Sequence, residues 1–374
     1  MNFEEHVGKF LLAAAGIEVP DGEVATSAET AAGIAARLGP CVVKAQVAAG
    51  GRGKAGGIRT ADGAEAARAA ANALLGASIG GHPVERVLVE RRVATARELY
   101  AAILMDAESE GPLILVSARG GMEVEEIAGR HPDALIRFPL DVRKGIEAPE
   151  IAVRLADGSI WGLQHQMSDV LARLYQVFVR NDAELLEVNP LALTVDSRLV
   201  ALDCKLVLDD AAIPRRPELA ALGTPEPKAP LEAQAAGHGL KFIELDGNVG
   251  VLANGAGLTM TTMDAIRHYG GAPANFLEIG GEAYRLAKPA LEIVLANPRT
   301  RSLVVNFCGA FARTDVMTEG VVEAWQQLRP GVPVFFSIHG TGEDEAIALV
   351  RERLGIEPFD LMDDAVKAAV EAAT

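Results

Sequence analysis

From Asn248 onward the chain repeats one pattern. An apolar run, NVGVLA, leads into a glycine turn, NGAG, and then a stretch with helical spacing, LTMTTMDAIRHYG. The same order returns as ANFLEI, GGEA and YRLAKPALEIVLA, then as SLVVNF, CGAFARTD and VMTEGVVEAWQQL, and last as VPVFFSI, HGTGED and EAIALVRERLG. Four strand–loop–helix units in succession predict a parallel sheet with right-handed crossovers. Ligands bind such sheets at the carboxyl ends of the strands, where all of these glycine turns fall.

The first half is less regular. CVVKAQV (41–47) alternates like a half-buried strand, and EAARAAANALLG (65–76) has helical spacing. VERVLVE and ELYAAILMD read as strands around Glu90 and Glu98, and a long amphipathic helix covers roughly 162–180. AELLEVNPLALTVDSRLVALDCKLVL reads as strands reversing near Asp196. Antiparallel strands with few crossovers predict an α+β domain. Between the halves, Pro214, Pro217, Pro225, Pro227 and Pro230 crowd residues 209–238, which read as an extended connector. The expected domains are therefore 1–238 and 239–374.

Composition narrows the function. Hydrophobic residues make up 49% of the 374 residues but aromatics only 5%, so the core is aliphatic, as in proteins with buried Val/Leu/Ile strands. A formal net charge of -16 argues against a general nucleic-acid binder and against docking on anionic membranes. The three cysteines, Cys41, Cys204 and Cys308, lie in apolar runs and read as buried small side chains in a reducing compartment. The N-terminal stretch, MNFEEHVGKFLLAAAG, has no basic lead and a short apolar run, so it reads as an amphipathic helix. No stretch approaches a membrane span. A soluble, cytoplasmic protein is expected.

Against this acidic background, AAGGRGKAGGIRT (48–60) concentrates glycine and cations. It contains GxGxxG at Gly51, Gly53 and Gly56, but a dinucleotide site needs that loop to open a helix, and GGIRT reads as a strand. A P-loop needs Ser or Thr after its lysine, whereas Ala55 follows Lys54. What remains is a β-hairpin lid whose backbone N–H groups and cations cradle a phosphate, or else a surface hairpin with solvated cations. Lys44 and Gln46, two apart on the strand leading in, share one face.

Carboxylates favour the first reading. Glu187 and Asn189 share one face of a strand, and Asp203 and Lys205 share one face of another. If the chain reverses at Asp196, Asn189 lies opposite Asp203, each seven residues from the turn, and Glu187 lies opposite Lys205. Such clustered oxygens suit Mg²⁺, which keeps few protein ligands and fills its shell with water and phosphate. The bland alternative is a polar sheet face with a cross-strand Glu–Lys pair. The cationic glycine hairpin and the oxygen pair together point to a nucleoside triphosphate.

These motifs, in this order, resemble the β subunit of ADP-forming succinyl-CoA synthetase (succinate–CoA ligase) and its malate–CoA ligase relatives. VVKAQV with GGRGKAGG, VLVE with ELY, LLEVNPL, ALDCKL, LDGNVGVLANGAGL and PANFLEIGG carry the resemblance along nearly the whole chain. It implies an α+β ATP-grasp domain followed by an α/β flavodoxin-like ligase domain. It implies that Lys44, Gly51, Arg52 and Gly53 contact the phosphates of ATP or the backbone around them. It implies that Glu90, Val93 and Glu98 line the nucleotide site, with Glu90 near the adenine and ribose. Asn189 and Asp203 would hold Mg²⁺, and Glu187 would face a phosphohistidine. Asn254 and the loop Ala310–Phe311–Ala312 would bind a small carboxylic acid. The CoA site and the active histidine would belong to a partner α subunit, so this chain would be half an enzyme. Pro20 is similar to the ATP-type enzymes.

The loops also depart from the family pattern. The acid loop reads GAFAR, the expected triple glycine reads GGEA with Glu282, and SIHGTG carries Ser337 where a cation is usual. Together these changes predict an acid other than succinate. His339, beside glycines at a strand end, reads as polar lining, because the resemblance assigns the reactive histidine to the partner. Two other functions compete: a single-chain ATP-grasp carboxylate–amine ligase, and a non-catalytic nucleotide-binding paralogue.

Overall fold

The computed structural model describes all residues except 49, 157–159, 161, 226–227, 281–284 and 311. The chain forms two compact units, Met1–Glu226 and Pro227–Thr374.

In the first unit every named strand pairing is antiparallel, as the α+β reading expects. A smaller sheet runs in the order Gly22–Ala25, Arg86–Arg91, Cys41–Gln46, Ile58–Ala61. Cys41–Gln46 and Ile58–Ala61 make the expected hairpin, with Lys44 opposite Ile58. Two alanine-rich helices, Ala28–Leu38 and Ala64–Leu74, cover one face. Ser27 caps the first by accepting the Thr30 N–H at 3.1 Å. Strand alternation then sorts the side chains: Val43, Ala45 and Val47 join Ile34, Ala67 and Leu74 in the core, while Lys44 and Gln46 face the other way.

The larger sheet runs in the order Leu199–Ala201, Ala183–Thr194, Thr95–Asp106, Gly111–Ser117, Leu135–Pro139, and Lys205–Leu208 also pairs with Ala183–Thr194. One face buries Leu99, Ala101 and Ile103 against Leu171, Leu174 and Phe178 of the helix Gln164–Arg180. The N-terminal helix Glu5–Ala14 adds Val7 and Leu12 to that core. Its opposite side carries Glu5 and Lys9, one turn apart and paired at 2.6 Å.

The proline-rich segment is not an extended connector. It folds into short helices at Asp210–Arg215, Pro217–Ala220 and Pro230–Gly237. Pro217 and Pro230 start their helices, where the missing N–H costs nothing and the fixed φ is already helical. The last of these helices belongs to the second unit, where Ala235 and Leu231 pack in the core.

In the second unit Val249–Ala253, Ser302–Gly309 and Val334–Gly340 pair in parallel. The ANFLEI run contributes only the short strand Asn275–Leu277, which pairs antiparallel with Phe242–Glu244, a strand the sequence pattern did not predict. It joins the parallel sheet through single bridges at Val249–Pro273 and Ala253–Glu278. Between them the buried Asn275 side chain replaces the ladder: its Oδ1 accepts the Val251 N–H at 3.1 Å and its Nδ2 donates to the Val251 carbonyl at 2.8 Å. Helices cover both faces. Ala287–Ala296, Thr314–Leu328 and Glu343–Leu354 pack on one, and Ala256–His268 and Met362–Ala373 on the other. No helix among the described residues is long and apolar enough to cross a membrane.

One cysteine departs from the expectation. Cys41 and Cys204 are buried, but Cys308 is exposed, because it lies one residue from the end of the strand Ser302–Gly309, where the sheet meets the glycine loops. Burial also pushes the Cys204 and Cys41 thiols up, away from the reactive thiolate. Native-state alkylation at mildly basic pH, read by peptide mass mapping, is expected to modify Cys308 and to reach Cys41 and Cys204 only after unfolding.

Candidate functional site

The hairpin loop and the two strand segments on either side of the reversal at Asp196 open onto one cavity of about 460 Å³ in the first unit. Gly51, Arg52, Gly53 and Lys54 line one side, and Glu187, Asn189, Asp203 and Lys205 the other. The pairing register puts Glu187 opposite Lys205 and Leu191 opposite Ala201, so Asn189 and Asp203 face each other between them, as the count from Asp196 predicts.

Behind the cavity lies a chain of buried charge. Lys44, 7% exposed, sits 2.8 Å from Glu5 Oε1 and 3.0 Å from Glu90 Oε2, and it donates to the Leu202 carbonyl. Lys9 donates to both Glu90 oxygens, at 2.6 and 2.7 Å, and to the Leu202 carbonyl at 2.7 Å. Arg52 lies 2.9 Å from Glu5 Oε2 and 2.5 Å from Asp203 Oδ1, and its Nη1 donates to the Ala45 carbonyl at 3.1 Å. Three carboxylates therefore meet three cations with little water to screen them. Burial opposes the charge on Lys44, but Glu5, Glu90 and Asp203 outweigh it and hold the ammonium well above its usual range.

The oxygen donors are positioned by their own partners. Asn189 Oδ1 accepts the Gly121 N–H at 2.8 Å, and its Nδ2 donates to the Met122 carbonyl at 2.9 Å. Asp203 Oδ1 accepts the Cys204 N–H at 2.7 Å besides pairing with Arg52. Among the described residues, no three His, Cys, Asp or Glu side chains could hold a metal together. A cation here would rest on the Asp203 carboxylate and the Asn189 amide oxygen, a hard and sparse donor set that fits Mg²⁺. Glu187 lies 3.5 Å from the Tyr100 hydroxyl. Burial raises its carboxyl pKa, with Lys205 pulling the other way.

Other singled-out residues lie apart from the lining. Glu90 is 3% exposed and serves as counter-charge to Lys9 and Lys44 from behind the cavity. Val93 is half-buried between the strands Arg86–Arg91 and Thr95–Asp106. Glu98 backs the turn that grips Asn189: its carbonyl accepts the Gly120 N–H at 2.9 Å. A β-carbon on Gly121 would meet only the movable end of the Glu98 side chain, so it is the φ of +71 that favours glycine at this position. Sequence reasoning missed Glu5 and Lys9. The Glu–Lys pair one helical turn apart was visible, but it reads as an ordinary surface pair until the helix is seen packed against Lys44.

In the second unit, Asn254 is occupied as a brace. Its Oδ1 accepts the Cys308 N–H at 2.8 Å and its Nδ2 donates to the Cys308 carbonyl at 2.9 Å. The Ala310 carbonyl accepts the Thr341 hydroxyl at 3.0 Å, and Ala312 packs on the core. Phe311 and Glu282 lie outside the described residues. Ser337 is fully buried, so the side chain that reaches the strand end is His339, 3.5 Å from Glu343.

Removing one member of a buried ion cluster leaves its partners uncompensated, at about 3–5 kcal/mol. Lys9→Met, which stands outside the cavity lining, should lower stability on that scale, read from the shift of the denaturation midpoint.

Comparisons with known proteins identify the family. The family model described as ATP-grasp domain matches residues 2–193, and that described as CoA-ligase matches residues 252–370. The protein named succinate–CoA ligase (ADP-forming) subunit beta of Gemmatimonas aurantiaca is 41% identical over 378 residues, covering 100% of this chain and 99% of that protein. A second such protein, subunit beta 2 of Streptomyces coelicolor, is 42% identical over 378 residues, covering 100% and 98%. The GDP-forming subunit beta of Thermus thermophilus is 40% identical over 352 residues, covering 94% and 93%. The structure of ATP citrate lyase from Methanothrix soehngenii shares the fold, with a TM-score of 0.65 at 23% identity over 99% of both chains. With both family models in order along the chain and relatives at about this identity spanning its whole length, the chain belongs to the succinate–CoA ligase β-subunit family.

Proposed function

We propose that this chain is the β subunit of an ATP-dependent, ADP-forming carboxylate–CoA ligase acting on succinate or a related short acid. One observation carries the reading: a single cavity sets a glycine-rich cationic loop against an Asn–Asp oxygen pair and a half-buried glutamate, in a chain whose whole-length relatives bear that name.

In this reading the triphosphate lies along Gly51, Arg52 and Gly53. Backbone N–H groups approach its oxygens closely, and Lys44 and Arg52 offset its charge. Glu98 and Val93 would border the nucleoside from outside the present cavity lining, and Glu90 would act on it through Lys44. Asn189 and Asp203 would hold Mg²⁺, which when bound draws charge from the phosphate oxygens. Phosphoryl transfer asks little covalent chemistry of a protein; position and charge neutralisation do most of the work. The rigid hydrogen bonds that pin Asn189, Asp203 and Arg52 supply that positioning. The phosphoryl group passes to a histidine of a partner α subunit, then to the carboxylate of the acid, and CoA of the α subunit displaces phosphate from the acyl phosphate. Glu187, whose carboxyl is biased toward its neutral form by burial, would meet the partner's histidine.

At the carboxyl end of the parallel sheet, the acid would meet the backbone of 309–313. Asn254 braces the backbone of Cys308, just before that loop, with both halves of its amide. The turn NGAG opens the helix Ala256–His268, whose N-terminal N–H groups favour an anion.

The test is ADP release from Mg-ATP by the chain co-expressed with an α subunit, across a panel of short mono- and dicarboxylates. CoA- and acid-dependent turnover is expected, reduced about 100-fold or more by Asp203→Ala. Turnover with an amine acceptor and no partner would instead indicate a single-chain ligase. Nucleotide binding without turnover on any acid would indicate a regulatory paralogue.

A further inference from the structure

We propose that Glu5 is a positioning residue of the nucleotide site, which holds Arg52 at the cavity edge so that the guanidinium can exchange Asp203 for an incoming phosphate. The inference rests on the proposed nucleotide site and extends it to a residue of the N-terminal helix.

Glu5 lies at the centre of the charge chain. Its side chain is fully buried yet lines the cavity. Oε1 faces Lys9 at 2.6 Å and Lys44 at 2.8 Å, and Oε2 faces Arg52 at 2.9 Å. One carboxylate thereby ties the first helix, the strand Cys41–Gln46 and the glycine loop together. Burial pushes its carboxyl up, but Lys44, Lys9 and Arg52 prevail and hold it well below the usual range, so it stays charged.

The two acids that share Arg52 Nη2 are unequal. Glu5 is fully buried and cannot turn to water, whereas the Asp203 side chain is 29% exposed. A phosphate that competes for Arg52 therefore displaces Asp203, and Glu5 keeps its grip. Asp203 is then released to a cation at the moment the phosphate arrives. The buried cluster is neutral beforehand, with Glu5, Glu90 and Asp203 against Lys9, Lys44 and Arg52. Glu5 Oε2 also lacks a hydrogen bond despite its close ion pair, because the Arg52 N–H groups are not aligned with it. A buried acceptor left in this state is costly, and a turn of the guanidinium away from Asp203 would satisfy it.

Mg-ADP affinity of the full chain, measured by calorimetry, tests this. Glu5→Gln keeps the shape and removes a negative charge from beneath two cations. If Glu5 only tuned the local potential, the affinity for an anion would rise. A positioning role predicts the opposite, a loss of about tenfold. The loss should shrink to about threefold or less when Arg52 is already alanine, since coupled residues are not additive. Wild-type or tighter binding by folded Glu5→Gln, or an equal penalty in both backgrounds, would overturn the inference. If Glu5→Gln does not fold, Glu5→Asp is read by the same criteria, because it preserves the charge and withdraws the carboxylate by one methylene. A wild-type chain that does not bind Mg-ADP would overturn the proposed nucleotide site along with this inference. Normal wild-type binding with unaffected variants would overturn this inference alone.

Discussion

Burying an ion is expensive unless opposite charge and hydrogen bonds surround it. The first unit is organised around that constraint. Lys44 lies on the concealed face of its strand because its neighbours Val43 and Ala45 belong to the alanine-rich core on the other side. A buried ammonium in that position needs acids, and the structure brings Glu5 from the first helix and Glu90 from the adjacent strand. Those acids in turn need Lys9 and Arg52. The N-terminal helix thus has two tasks: its apolar side completes the large core, and its polar side closes the charge network. Two sheets and a helix are fixed to one another by side chains that would each be a liability alone.

The same economy appears at the ends of elements. Asn189, Asn254 and Asn275 each spend both amide groups on backbone partners. Asn189 fixes a turn, Asn254 fixes the end of a strand, and Asn275 stands in for a stretch of sheet ladder. A polar side chain that binds both a donor and an acceptor of one segment restrains its orientation as well as its distance. Loops near a ligand are held this way without apolar packing.

Much of the architecture was legible before the structure. The strand–turn–helix rhythm gave the parallel sheet, because buried strands and amphipathic helices differ so strongly in period. Counting outward from Asp196 gave the register that sets Asn189 against Asp203, and a one-residue slip would turn the whole strand's buried face to the other side. The proline-rich segment misled, since proline at a helix start and proline in a connector look alike without the neighbouring packing. Phe242–Glu244 was too short to show a period. Cys308 looked buried because an apolar run does not reveal where a strand emerges from the protein. Glu5 and Lys9 were the most consequential omissions. Their spacing was plain, but what they face is set by contacts about forty to two hundred residues away, to Lys44, Glu90 and Leu202.

Those long separations bear on how the molecule is made. Glu5, Lys44, Glu90 and the Leu202 carbonyl meet only after roughly two hundred residues have left the ribosome. Until then the growing chain presents an amphipathic helix whose charged side has Lys44, Arg52 and Glu90 within reach but whose apolar side has no complete sheet to cover. The last segment to arrive brings the Leu202 carbonyl to Lys9 and Lys44, and its strand Lys205–Leu208, paired with Ala183–Thr194, adds Leu206 and Leu208 to the core under the helix. Assembly of the first unit is therefore concentrated late in synthesis, and a premature stop before this segment leaves a fragment with its hydrophobic helix face open to chaperones and proteases.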